Sequence, residues 1–427
     1  MTATQIHSAV QKPDCLQVQA RAGSSSSTSL YPALRLDLNV AQVIVAATRL
    51  SARSPSRWQA AVEHEWGGAA SIAFLSVRSA FTAMIEALRW QHGSEILVTG
   101  INIADMMHII EALGHVAVPI DLDPATLAPD PAEIAAKIGP ATRALVVAQL
   151  FGGHVDMRPL LAVARKHQLM VVDDSAQAYT TRPARGACEC DVRLFSFGLL
   201  KSGTALGGAI VEVKDANLRQ RMRDVQCGWR RQRRSSYAVK VAKAFVLLPL
   251  QHPLVYGLFS RVCVAANSSS GAVLRKMTRG FGSAGAAALL RAVRQQPCTP
   301  LLAMLAWRLT HEDGLRLARR KVAGERMLAG IAHLGGSGLT CIGHRQPLHS
   351  HWLVPVSVQN PDRLRTDLAR AGFDAHGASN VVAIGGSRAT SMVNGLVFLP
   401  CYPEMDGDAR DRVAAVVRSH FISHAEK

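Results

Sequence analysis

Residues 144–179 read ALVVAQLFGGHVDMRPLLAVARKHQLMVVDDSAQAY, and this stretch decides the fold. Residues 144–150 are apolar almost throughout, the pattern of a strand covered on both faces rather than one alternating between core and water. Phe151-Gly152-Gly153 breaks that strand, MRPLLAVARKHQ has helical periodicity, and the apolar run LMVV comes next, closed by Asp173-Asp174. Strand, helix and strand in this order predict parallel neighbours in one α/β sheet. Ligands of such sheets sit at the carboxyl ends of the strands, which is where VVDDSAQAY puts Asp174 and Gln177.

The pattern extends both ways. On the amino-terminal side, IAFL predicts a strand, Ser76-Val77-Arg78-Ser79 a polar turn and AFTAMIEALRW an amphipathic helix, succeeded by EILVTGI, the helix ADMMHIIEALG and the strand HVAVPID. A helix start bearing Arg78 and Ser79 is either a plain capped helix or an anion site, because free amide N–H groups and a guanidinium converge there. On the carboxyl side comes LFSFGLLKSGTALGGAIV, residues 194–211, with one lysine in an uncharged Ser/Gly run. A buried ammonium is costly unless it is paired or loses its proton. Lys201 is therefore either a surface lysine in a hairpin turn or a covalent anchor, held as a Schiff base with the aldehyde of pyridoxal 5'-phosphate. Ser196 then becomes a phosphate ligand, and Asp174 either the partner of a protonated pyridine nitrogen or an ordinary helix cap or arginine partner.

At 427 residues and 48% hydrophobic content, the chain supports two packed domains. Its formal charge of +17 favours acidic partners: anionic lipid, phosphorylated substrates or an acidic carrier protein. Nucleic acid is not expected, since aromatics are only 5% and no DNA- or RNA-binding signature appears. Eight cysteines are scattered without a disulfide framework, which points to a reducing compartment. Cys188-Glu189-Cys190 lacks a second cysteine pair, and His344, His349 and His351 lack a carboxylate or thiolate at ligand spacing, so no metal is expected. Met1 to Gly23 has no continuous apolar core, which makes the cytosol the expected location.

The spaced order SVRSAF, VTGINIAD, VVDDSAQA, CDVRLFSFGLLK, LGGAIV and, late in the chain, LVFLPCYPEM resembles the DegT/DnrJ/EryC1/StrS aminotransferases, pyridoxal-phosphate enzymes of the aspartate aminotransferase fold. The likeness is good over residues 65–225 and looser over the last hundred or so. It implies a fold-type-I α/β architecture, with a large domain built on a mostly parallel sheet covered by helices and a smaller C-terminal α/β domain. Residue by residue, it places Lys201 on the Schiff-base lysine, Asp174 on the pyridine-nitrogen carboxylate and Gln177 beside the phenolic oxygen. Ser196 falls on the phosphate-binding serine, and Arg78 and Ser79 on the phosphate loop. Ile103 stands where the family stacks an aromatic ring on the cofactor, so the directional stacking contribution is absent. The family's Asn-Tyr-Arg motif, which reaches a neighbouring subunit's phosphate, has only Asn267 as a weak counterpart.

The resemblance further implies a homodimer that moves an amino group from an amino-acid donor to a ketone or aldehyde, in most members a nucleotide-linked keto-sugar. Lys201 argues against the family's dehydratases, which carry histidine there. Alternatives are an apolar or carrier-linked carbonyl acceptor, an acyl-CoA-condensing enzyme, which would have histidine in place of Gln177, and a non-catalytic regulator or scaffold.

The expected organisation is a flexible leader at 1–36, the cofactor-binding domain at 37–225, a basic and partly apolar helical insertion at 226–300, and helices with the small domain at 301–427. The basic run Arg230-Arg231-Gln232-Arg233-Arg234 and the interrupted apolar segment to 262 suit a dimer interface or core cover, an anionic membrane surface or an acidic carrier. Lys240, Lys243, Pro249, His252 and Pro253 make it too broken to span a bilayer.

Overall fold

The computed structural model describes residues 29–180, 189–278, 285–378 and 381–425. Its centre is a seven-stranded sheet: β1 (Ser71–Phe74), β2 (Glu95–Thr99), β3 (Val116–Ile120), β4 (Thr142–Ala148), β5 (Met170–Asp174), β6 (Val192–Ser196) and β7 (Ala209–Val213). The spatial order is β1-β7-β6-β5-β4-β2-β3. Only β7 runs antiparallel to its neighbours β1 and β6; every other pairing is parallel.

Side-chain alternation along β4 explains why its sequence is apolar without a break. Ala144 and Val146 enter one core with Val172, Leu194 and the inner face of α3, while Leu145 and Val147 enter another with Leu160 and Leu161 of α6. Both faces are thus covered, and each buried valine or leucine contributes about 1.5–3 kcal/mol. The helices in chain order are α1 (Val40–Thr48), α2 (Pro55–Trp66), α3 (Val77–Leu88), α4 (Ala104–Ala112), α5 (Pro131–Lys137), α6 (Arg158–Lys166) and α7 (Ala216–Cys227).

The segment read as an insertion forms α8 (Arg234–Leu247), α9 (Pro253–Ala265), α10 (Ser270–Thr278) and α11 (Ala286–Val293). Its inner faces pack into the same cores as the central sheet. Tyr237, Val241 and Ala244 of α8 pack with Leu301, Leu305 and Phe197, and Leu289, Leu290 and Val293 of α11 join the core beside α3 and α4. The helix α12 (Thr299–Thr310) lies against α2, and α13 (Gly314–Ala329) leads to the second lobe.

That lobe is a three-stranded antiparallel sheet of β8 (Thr340–Cys341), β9 (Val354–Ser357) and β10 (Leu396–Leu399), covered by α13, α14 (Pro361–Arg370) and α16 (Gly407–Ala425), with α15 (Ser387–Asn394) beside it. The expected leader needs correction at its end. Residues 1–28 lie outside the described residues, but Tyr31 bridges to Phe373 and stacks on its ring, and Leu36 is buried. The serine tract ends the polar segment, and Leu30, Tyr31, Leu34 and Leu36 supply apolar surface that docks this part of the chain.

Candidate active site

Asp173 and Asp174 end β5, and strand alternation sends them to opposite faces. Asp173 is used structurally: Arg193 approaches it at 3.4 Å and Ser175 Oγ donates to it at 2.9 Å. Asp174 is buried and accepts a hydrogen bond from the Ala176 amide at 3.1 Å. Burial raises its carboxyl to about 6, against the Ala176 hydrogen bond and the positive charge of Lys201.

Lys201 lies in the connection between β6 and β7. The amides of Ala205 and Gly207 both donate to the Phe197 carbonyl, at 3.1 and 2.9 Å, and Phe197 in turn donates to Gly208. Glycine suits position 208: its φ is +92°, and a Cβ would lie 3.2 Å from Leu305 Cδ2. The loop is the hairpin connection that the alternative reading of Lys201 required, but it turns the lysine inward. Burial lowers the ammonium to about 7, with Asp174 pulling the other way and Arg78 adding to the fall. Its Nζ sits 4.0 Å from the centroid of the Trp352 ring.

Trp352 is a site residue that sequence reading missed, and it arrives from the second lobe. Residues 348–349 pair antiparallel with 153–154, Ser350 donates to the Gly152 carbonyl at 2.7 Å and Leu353 to that of Phe151 at 3.0 Å. Gly152 has φ +103°, and a Cβ there would strike the Trp352 amide nitrogen at 2.5 Å. Phe151-Gly152-Gly153, legible only as a strand breaker, is therefore the seat for this loop. The Trp352 indole N–H then donates to Leu200 O at 3.0 Å, fixing the ring over the lysine loop.

Of the remaining expected residues, Arg78 acts electrostatically on both Lys201 and Asp174, and Ser196 lies with Lys201 beside Gly198. Gln177 Oε1 accepts the Phe151 amide at 3.2 Å, so it also braces the seat of the Trp352 loop. Ser196 ends β6, and its Oγ lies 3.4 Å from the Gly198 amide. Ser76 caps α3 by accepting the Ser79 amide at 3.1 Å, and the Ser76 and Ser79 hydroxyls are 2.9 Å apart. Arg78 is the second residue of α3 and pairs with Asp105 at 2.7 Å, a partner the sequence did not suggest. Ile103 occupies the N-cap position of α4 without a side-chain cap, donates its amide to Asn102 Oδ1 at 2.8 Å, and packs on the same core as Ala176 and Ile384.

Behind Lys201 lies a second charged group that sequence reading missed. The walls of the cleft include Arg35, Asp37, Arg316, Arg320 and Tyr402. Burial opposes ionisation of Asp37, but Arg316, Arg320 and Arg308 outweigh it and hold its carboxyl below the ordinary range. Arg316 bonds Asp37 at 2.9 Å and Glu404 at 2.8 Å, Arg320 bonds Ser202 Oγ, and the Gly203 amide donates to Asp37. The lysine loop is thus tied to the segment before α1 and to α13.

His349 and His351 stack at 4.0 Å inside the protein, with burial holding them near 3 and 4. His344 bonds the Cys341 carbonyl. Among the described residues no group of histidines, cysteines and carboxylates is arranged to hold a metal. Cys188 lies outside the described residues; Cys190 is disulfide-bonded, while Cys227, Cys263, Cys298, Cys341 and Cys401 are free.

The sequence of residues 40–246 matches the model of the DegT/DnrJ/EryC1/StrS aminotransferase family. GDP-perosamine synthase of Caulobacter vibrioides is 33% identical over 133 residues, 31% of this chain and 36% of that protein. The L-glutamine:2-deoxy-scyllo-inosose aminotransferase of Micromonospora echinospora is 32% identical over 148 residues, 32% of this chain and 33% of its own length. The matched stretches thus span about a third of these curated relatives. In three dimensions the chain resembles the aminotransferase TlmJ of Streptoalloteichus hindustanus, with a TM-score of 0.66 at 18% identity over 92% of this chain and 98% of TlmJ. It also resembles NtdA of Bacillus subtilis, solved with its cofactor PMP bound, with a TM-score of 0.63 at 15% identity over 91% and 83%.

The family is pyridoxal-phosphate-dependent, and the donor set fits that group. An amine brought near neutrality, a buried strand-end carboxylate raised by desolvation and serine hydroxyls at a helix N-terminus are the chemistry an aldehyde, a ring nitrogen and a phosphate require. By sequence, residues 40–246 match the model of the DegT/DnrJ/EryC1/StrS aminotransferase family, and the described chain has the fold-type-I architecture of its solved aminotransferase neighbours.

Proposed function

We propose that the protein is a pyridoxal-phosphate-dependent aminotransferase that passes an amino group from an amino-acid donor to a carbonyl carbon of a sugar-like acceptor. The observation that carries this reading is Lys201, a lysine turned into a buried site opposite Asp174 and brought to about 7. When bound, the cofactor supplies the aldehyde that takes up the donor amine and a ring that accepts the electron pair left at the donor α carbon.

The chain's own residues do the rest. Lys201 Nζ anchors the cofactor, is neutral often enough near pH 7 to accept a proton from carbon, and is close enough to that range to return it. Asp174 holds positive charge at the end of β5, where only a cation offsets its burial. Ser76, Ser79 and Ser196 offer hydroxyls, and α3 offers its N-terminal amides, to a phosphate. Gln177 and Gly152 keep the Trp352 loop seated, and the indole covers Lys201 against water. Ile103, which packs at the edge of the core, would offer an aliphatic side chain to the cofactor in place of an aromatic one.

Aminated sugars and cyclitols are named for the relatives, which supports an acceptor of that class here. A homodimer in the cytoplasm is part of the same reading and rests on the resemblance. The test is transamination itself: the purified holoprotein is given L-glutamate or L-glutamine and then a panel of nucleotide-linked keto-sugars, with mass spectrometry for the amino product. Product formation that Lys201→Ala abolishes is expected. A holoprotein that never gives up its amine-accepting form with any donor overturns the proposal.

A further inference from the structure

A second feature of the molecule lies on the far side of the lysine loop. Between Asp224 and Glu312 the chain contains no Asp or Glu, and none occurs between Asp37 and Glu63. These two acid-free segments meet, because α8 packs on α1. The outward face of α8 is apolar, against the usual pattern of a surface helix: Val239 is 53% and Val246 58% exposed, in line with Lys243. Along α9, Leu254 and Leu258 are 55% and 63% exposed, with Arg261 on the same helical stripe. Their inner faces are ordinary core, with Tyr237 and Tyr256 fully enclosed. Ile44 of α1 is exposed as well, and Arg230, Arg231, Arg233 and Arg234 lie on the surface at the entrance to α8.

We propose that the outer face of α1, α8 and α9 docks on an anionic lipid bilayer. Among the described residues no helix is long and apolar enough to cross a membrane, so this is surface attachment, with apolar side chains entering the headgroup boundary and Lys243 and Arg261 reaching back to phosphates. Charge complementarity selects the occupant. A second copy seated by two-fold symmetry would bring these basic segments against themselves, with no carboxylate from residues 38–62 or 225–311 of either copy to relieve the repulsion. An anionic bilayer offers both the negative charge and the apolar depth.

The placement has a functional consequence. Tyr237 of α8 donates from its hydroxyl to the Ala205 carbonyl at 3.0 Å, inside the loop that carries Lys201. Docking would therefore hold the candidate site about one helix diameter, roughly 10 Å, from the lipid. Lipid binding does not depend on transamination and is tested without it.

The test is flotation of the full-length protein with phosphatidylcholine vesicles and with vesicles containing phosphatidylglycerol, at low and high salt, alongside sedimentation without lipid. Binding should require phosphatidylglycerol and weaken as salt screens the attraction. Lys243→Gln with Arg261→Gln should lower partitioning about fivefold per charge removed. Val246→Asn with Leu258→Asn, both at exposed positions, should lower it further while leaving the thermal midpoint and the sedimentation coefficient unchanged. Failure to bind phosphatidylglycerol vesicles, binding that the variants do not alter, or variants that instead convert a dimer to a monomer would each overturn the proposal, the last by identifying a second copy as the cover of this face.

Discussion

An exposed lysine has a pKa near 10.4, so at pH 7 only about one molecule in 2,500 carries a neutral amine. Burial brings Lys201 to about 7, where half the population is neutral. In the cofactor-free protein it should therefore react with a small aldehyde on the order of 1,000-fold faster than a lysine with the ordinary pKa. Reductive methylation by formaldehyde, with peptide mass spectrometry across pH 5–10, measures this directly. The Lys201 peptide should show a midpoint near 7. Asp174→Asn should move that midpoint down, since it removes the charge that favours the ammonium, and Arg78→Gln should move it up, since it removes a repelling one. Thermal stability carries a linked sign. A depressed lysine binds fewer protons folded than unfolded, so its contribution is present above about 10 and lost as pH falls through about 7; the raised Asp174 contributes below about 4 and loses it as pH rises through about 6. A Lys201 midpoint near 10, or one indifferent to both substitutions, would refute the desolvation of this lysine opposite a carboxylate.

Three further outcomes come from the geometry. Trp352→Ala removes the ring 4.0 Å from Lys201 Nζ, an interaction of about 1–2 kcal/mol when desolvated, and should lower kcat by roughly tenfold while the far-ultraviolet circular dichroism stays unchanged. Asp37→Asn leaves Arg308, Arg316 and Arg320 without their shared carboxylate and should cost about 3–5 kcal/mol in denaturant unfolding, a larger loss than any exposed pair would give. Gly208→Ala adds a Cβ at φ +92° and 3.2 Å from Leu305 Cδ2; a loss of about 1–3 kcal/mol is expected, and an unchanged thermal midpoint would count against the tight return of the lysine loop.

The parallel sheet was legible because β4 and β5 must be apolar on both faces, which leaves an unbroken run of valine, leucine and alanine in the sequence. The positions of Asp174 and Ser196 at strand ends and of Lys201 in the loop after β6 were legible, because strand ends are where a parallel sheet presents its polar residues and a lone lysine among Ser and Gly stands out. Trp352 was not, since its position depends on an antiparallel pairing between residues 348–349 and 153–154, nearly two hundred residues apart, and no local pattern encodes that contact. The same holds for Asp37, which comes after a polar serine tract and reads as the edge of a loose leader until its carboxylate is seen among Arg308, Arg316 and Arg320. Arg78 shows the limit from the other side: its place at a helix start was readable, its engagement by Asp105 of the next helix was not. The burial of the histidines near 350 was not legible because it comes from contacts between distant segments, with Gly324 of α13 leaving room for the His351 ring.

Everything proposed for the site depends on Lys201 being the residue that holds pyridoxal phosphate. The decisive experiment is the visible spectrum of the holoprotein before and after borohydride reduction, with peptide mapping and with Lys201→Ala in parallel. An absorption band whose reduction leaves the cofactor covalently on the Lys201 peptide is expected, together with its loss in the variant. A protein that stays colourless with added pyridoxal phosphate, or a label that maps to another lysine, would show that Lys201 does not have this role.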